Sequence, residues 1–145
     1  MRQRAWLLFC AGGSFIISLA AATLTEFLLT NRIPIVGSAI GLQKAHNLGI
    51  VFGIGLGPLQ TAFIIIALAL VAAAAWRTPN SRSEQAGFGL IVGGGLANLI
   101  DRLIDGYVTD MIQIGSFPVF NIADACINLG VAVLLIGLLK KKIEN

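Results

Sequence analysis

The chain has 145 residues, of which 57% are hydrophobic and 12% charged, with a mean hydropathy of +0.87 and a formal net charge of +3. A soluble domain carries about 25% charged residues, so this composition excludes an ordinary water-soluble globule and places the chain among membrane proteins. The positive charge gives no case for a nucleic-acid partner, because the basic residues lie in loops and at the ends rather than on one polar face.

A bilayer core of about 30 Å needs ~20 apolar residues as helix. In chain order, four segments meet or approach that length: residues 5–30, 59–76 (containing TAFIIIALALVAAAA), 87–104 and 122–139. Helices satisfy their own backbone hydrogen bonds, as lipid requires. For the first segment the alternative is a cleaved signal peptide, since Arg2 and Arg4 precede the apolar run and Ala20, Ala21 and Ala22 resemble a cleavage site. The run continues through Leu28 and Leu29, which favours a span.

The loop at 31–58 contains the short β-branched runs IPIV and GIVF, separated by glycine and polar residues. IQI and PVF in the loop at 105–121 are candidates for further strands. The fold class is therefore an all-α membrane protein, four transmembrane helices with a small extracytoplasmic β-sheet, in one domain spanning 1–145. Arg2, Arg4, Arg77, Arg82, Lys140, Lys141 and Lys142 fall on one side of the membrane, against Arg32, Lys44 and Arg102 on the other. The excess of positive charge puts both termini and the TPNSRSEQ loop in the cytoplasm, and the loops at 31–58 and 105–121 outside.

Cys10 and Cys126 both lie in apolar runs and read as small buried residues rather than a disulfide. His46 is the single histidine and no HExxH is present, which argues against a protein-built zinc site. Gly37-Ser38-Ala39 is a poor nucleophile turn, with only His46 and Lys44 available to activate Ser38. Glu26, near the outer end of the first segment, reads as an interfacial residue reaching toward headgroups.

The third segment carries GGGLANLIDR (93–102). Gly93 and Ala97 form a small-xxx-small pair for close helix packing. Asn98, Asp101 and Arg102 are spaced to share a helix face, with Asp101 and Arg102 able to pair with each other or with neighbours. In FNIADACINLG, Asn121 is a good N-cap and Asp124 falls in the first turn, where the helix dipole favours negative charge. Asp110 has no capping role, and thirteen residues separate it from Asp124. That loop folds back easily. Two carboxylates brought within hydrogen-bond reach cannot both ionise, and the resulting dyad shares one proton. Such a dyad activates water and protonates a carbonyl or leaving amine without a metal or a nucleophilic side chain.

Together NLGIVFG (47–53), GGGLANLIDR (93–102), GYVTDMI (106–112) and FPVFNIADACINLG (117–130) resemble the bacterial lipoprotein signal peptidases, or signal peptidase II, in order, spacing and topology over 33–139. The resemblance implies an aspartic endopeptidase of the bacterial cytoplasmic membrane that needs no cofactor. It implies a diacylglyceryl-modified prolipoprotein as substrate, cleaved before the lipidated cysteine, with membrane lipids as the surroundings and a monomeric enzyme. Carried over by motif, Asp110 and Asp124 are the catalytic pair, and Asn47, Gly49, Asn98, Asp101, Arg102 and Asn121 support the site. Three departures stand out. ATLTE (22–26) places Ala22 and Glu26 where the family carries an acid and a lysine; Val51 replaces an alanine; and GLGPL leaves little room for a flap helix. The competing expectation is a non-catalytic lipoprotein-binding relative or small transporter subunit using the acids as a polar pathway, and a purely structural bundle leaves the acid pair unexplained.

Overall fold

The computed structural model describes residues 4–49, 59–77 and 81–144. Four helices, α1 (Ala5–Leu28), α2 (Leu59–Arg77), α3 (Arg82–Asp105) and α4 (Ile122–Glu144), alternate with three strands, β1 (Ile33–Val36), β2 (Ile40–Asn47) and β3 (Val108–Ile114). All four helices are long and apolar enough to cross a membrane. Their outward faces carry large apolar side chains such as Phe9, Ile17, Phe27, Leu70 and Leu138, the side-chain type that lipid tolerates.

Helix α3 is the least apolar and the most enclosed of the four. It packs against α1, α4 and α2. Small residues permit this position. A Cβ at Gly93 would collide with Ser14 Oγ and the Ala11 carbonyl on α1, and one at Gly94 would stand 2.7 Å from the Ala123 carbonyl on α4. Gly87 and Gly130 meet backbone to backbone, since a Cβ on Gly130 would lie 2.5 Å from the Gly87 carbonyl oxygen.

Helix α3 starts at Arg82, five residues ahead of the apolar run, because Ser81 and Glu84 form a capping box. Ser81 Oγ accepts from the Glu84 N–H at 3.1 Å, and Glu84 Oε2 accepts from the Ser81 N–H at 3.3 Å. The helix ends at Gly106, whose φ of 82° few other residues adopt, with its N–H donating to the Arg102 carbonyl. Helix α4 runs past Leu139 to Glu144, with Lys141 and Lys142 in the last turn, where positive charge complements the helix dipole.

The strands form an antiparallel sheet in the order β1-β2-β3. IPIV and IQI lie in strands β1 and β3, while the PVF run contributes only a bridge between Phe120 and Ile112. The central strand β2 comes from IGLQKAHN, a run whose glycine and polar residues conceal its strand character. Of GIVF, Gly49 lies in a bend, and the rest of that run, with Val51 and most of GLGPL, lies outside the described residues.

The two ends of the bundle differ. At one end Arg4 donates to the Ala75 carbonyl at 2.8 Å and lies over the Trp76 ring, while Lys141 pairs with Glu84 at 2.5 Å. The sheet, the C-terminus of α3 and the N-terminus of α4 occupy the other end. Cys10 and Cys126 are both free.

Candidate functional site

Strand β3 carries Asp110 inward. Its neighbours Val108, Thr109 and Met111 are buried, and Asp110 itself is 2% exposed. Burying a carboxylate is costly unless its oxygens are paired. Here both are. Asn47 Nδ2, at the end of β2, donates to Asp110 Oδ2 at 3.1 Å, and Asn121 Nδ2 donates to Oδ1 at 2.8 Å. Asn47 stands opposite Val108, two residues along from Asp110, so its amide reaches diagonally across the sheet.

Asn121 is the N-cap of α4. Its Oδ1 accepts from the Asp124 N–H at 2.9 Å, and Asp124 Oδ2 accepts from the Asn121 N–H at 3.4 Å. This reciprocal cap fixes Asp124 in the first turn. Asn98 of α3 completes the connection: its Nδ2 donates to Asp124 Oδ1 at 2.8 Å, and its Oδ1 accepts from Asn121 Nδ2 at 3.1 Å. The two carboxylates are thus joined by a chain of two amides.

The proximity has an electrostatic consequence. The Asp110 carboxyl is pushed up to about 6, first by burial and then by the charge of Asp124. The Asn47 and Asn121 amides and the Arg102 guanidinium act in the opposite direction and do not prevail. Asp110 therefore keeps its proton to a higher pH than an exposed aspartic acid does.

Arg102, one turn after Asn98, does not touch either carboxylate directly. Its Nη2 donates to the carbonyls of Gly49 at 2.7 Å and Asn47 at 3.3 Å. Gly49 contributes only backbone, its N–H donating to Asn47 Oδ1 at 3.0 Å, which fixes the Asn47 amide so that its nitrogen faces Asp110. Asp101 departs from the shared helix face expected for it. Successive helix residues point about 100° apart, so while Arg102 turns to the loop after β2, Asp101 turns to β3 and accepts the Thr109 N–H at 2.7 Å. No Asp101–Arg102 ion pair forms among the described residues.

Glu26 also differs from the expectation of a headgroup contact. Its Oε2 accepts from His46 Nε2 at 2.9 Å and its Oε1 lies 3.5 Å from Lys44 Nζ, which also donates to the Glu26 carbonyl at 3.0 Å. His46 stacks on Tyr107 with ring centroids 4.0 Å apart. These contacts engage the two side chains that would have had to activate Ser38.

A cavity of about 620 Å³ opens beside Asp124. Its polar wall is Asn47, Asn98, Arg102, Asp124 and Asn128, and its apolar wall is Ile64, Gly95, Ile127 and the Phe117–Phe120 turn. Ile64 belongs to α2 and Ile127 to α4, so the cavity faces the space between those helices in front of α3. Ile64, Gly95 and the Phe117–Phe120 turn have no polar signature to single them out in sequence. Asn128 does: it is an amide in an apolar helix four residues after Asp124.

Comparison with known proteins places these features in a family. The family model described as signal peptidase (SPase) II matches residues 14–140. A lipoprotein signal peptidase of Lactiplantibacillus plantarum is 36% identical over 124 residues, covering 83% of each chain. One from Chlorobaculum parvum is 40% identical over 122 residues, covering 73% of this chain and 76% of that protein. Two solved bacterial membrane enzymes share the fold. One has a TM-score of 0.82 at 24% identity, covering 94% of this chain and 88% of that one. The other has a TM-score of 0.79 at 25% identity, covering 92% of both.

Proposed function

The chain belongs to the signal peptidase II family, a peptidase that removes signal peptides from prolipoproteins, and we propose that Asp110 and Asp124 carry out the hydrolysis as a proton-sharing pair. The observation that carries this assignment is the amide chain linking Asp110 through Asn121 and Asn98 to Asp124. It holds the carboxyls in fixed relation, and burial with the charge of Asp124 raises the pH at which Asp110 gives up its proton. Asp124 lines the cavity and takes a proton from water as the oxygen attacks the scissile carbonyl. The shared proton goes to the carbonyl oxygen. Collapse of the tetrahedral intermediate returns that proton to the pair, while the proton on Asp124 passes to the departing amine. Asn47, Gly49, Asn98, Arg102 and Asn121 hold the pair in place, and Asp101 holds the strand that carries Asp110.

The substrate carries a diacylglyceryl group on the cysteine that follows the cleaved bond. Two acyl chains bind lipid at ~0.8 kcal/mol per buried CH₂, so the substrate arrives within the bilayer. The cavity between α2 and α4 suits lateral entry. The enzyme is a monomer of the bacterial cytoplasmic membrane, with both termini in the cytoplasm and the aspartates at the outer rim. The basic cluster around Arg4, Arg82 and Lys141, opposite the sheet, supports that orientation. A transporter-like reading is not favoured, since the polar groups gather at one end of the bundle rather than along it.

The test is cleavage of a diacylglyceryl-modified prolipoprotein by the detergent-purified protein. Wild type cleaves; Asp110→Asn and Asp124→Asn stay folded and do not. Processing by either variant at the wild-type rate would eliminate the pair. Reporter fusions at Asn80 and Ile114 read opposite sides of the membrane if the orientation holds.

A further inference from the structure

Asp124, Ile127 and Asn128 occupy one face of α4 and all line the cavity. Asn128 is exposed there, and among the described residues its side chain has no hydrogen-bond partner. The apolar part of the same lining includes Ile64, Ile127 and Gly95. A polar side chain within a membrane-spanning helix faces a cavity or a partner because lipid gives it none. An extended peptide entering the same cavity has the complementary problem. Its backbone N–H and C=O groups have left a helix and have no water to bond, at a cost of several kcal/mol each.

We propose that Asn128 binds the substrate's main chain on the membrane side of the cleaved bond, its Oδ1 accepting a backbone N–H and its Nδ2 donating to a backbone C=O. This rests on the peptidase reading and adds a contact to it. The geometry also specifies the register. Four residues of helix advance about 6 Å from Asp124 toward the lysine-bearing end, and an extended chain covers that distance in about two residues. Asn128 therefore reads the second or third residue before the cleaved bond. Because an amide bonds main chain rather than side chain, the contact is independent of sequence, which suits an enzyme that processes many different signal peptides.

The experiment measures kcat and KM for wild type and Asn128→Leu, which keeps the volume and is compatible with lipid. Loss of a net hydrogen bond corresponds to a KM about tenfold higher, with kcat, the pH profile and the thermal unfolding midpoint unchanged. Substrates N-methylated singly at each of the three residues before the cleaved bond provide the second measurement. Methylation at one of them costs wild type about tenfold and costs Asn128→Leu nothing further. A KM within twofold of wild type, a fall confined to kcat, or equal methylation penalties in both proteins at every position would overturn the proposal. Absence of cleavage by wild type itself would instead count against the peptidase reading.

Discussion

Asn121 donates its side-chain amide to Asp110 at 2.8 Å while its own carbonyl oxygen caps the N–H of Asp124 at 2.9 Å. One residue thereby sets both the start of α4 and the placement of the buried carboxyl. Asn121→Ser separates the two roles, because serine caps a helix about as well as asparagine but cannot reach Asp110 as the amide does. The variant is expected to lose about 1.5–3 kcal/mol, the scale of a hydrogen bond to a charged group. Removing a donor that favours the ionised form also raises the Asp110 pKa above about 6. The alkaline limb of kcat/KM then moves to higher pH, as measured with a lipidated substrate across pH 5 to 9.

Stability carries the same signature. The folded protein binds the Asp110 proton more tightly than the unfolded chain does, so protonation favours folding. That contribution is complete below the unfolded value of 3.8 and is lost as pH rises through about 6. Its size is about 3 kcal/mol from the displacement of the pKa. Asp110→Asn cannot titrate. Its unfolding midpoint is expected to rise relative to wild type between pH 4 and pH 7, whatever the offset at the acid end. A constant difference in differential scanning fluorimetry across that range would contradict the assignment.

Asp101 shows where the sequence was legible and where it was not. The apolar runs announced four spans because lipid imposes length and hydrophobicity locally, and the spacing of Asn121 and Asp124 announced a helix start for the same local reason. Which way Asp101 and Arg102 point depends on how α3 is rotated among its neighbours. That rotation is set by Gly93 against α1 and Gly94 against α4, contacts between segments far apart in sequence. The central strand β2 was missed for a similar reason, since IGLQKAHN gains its strand character from pairing on both sides. Asp101→Ala leaves the buried Thr109 N–H unpaired and is expected to cost about 1–3 kcal/mol. Asp101→Asn retains an acceptor and is expected to cost well under half of that, by urea or thermal unfolding in detergent.

The glycines of α1 and α3 make opposite predictions. Gly93→Ala forces a methyl into Ser14 Oγ and the Ala11 carbonyl, and is expected to destabilise by about 2–3 kcal/mol through overpacking. Gly12 of α1 has nothing within 4 Å of the position its Cβ would take. Gly12→Ala is expected to stabilise by about 0.5–1 kcal/mol from helix propensity alone. Paired unfolding curves of the two variants check both signs at once.

Glu26 of α1 meets two partners from β2, Lys44 at 3.5 Å and His46 at 2.9 Å. These contacts tether the first helix to β2, the strand paired with the one that carries Asp110. The pairs are partly exposed, with side-chain exposures of 28% and 27% for Lys44 and Glu26, and solvent screening limits each to the scale of about 1 kcal/mol. Glu26→Lys sets like charges against Lys44 and is expected to lower stability by about that amount. Adding Lys44→Glu restores an attractive pair with the polarity reversed and is expected to recover most of the loss, although His46 then faces a lysine. A double-mutant cycle measured by thermal unfolding isolates the coupling. Additive losses in the double variant would show that the Glu26 and Lys44 side chains do not act on each other.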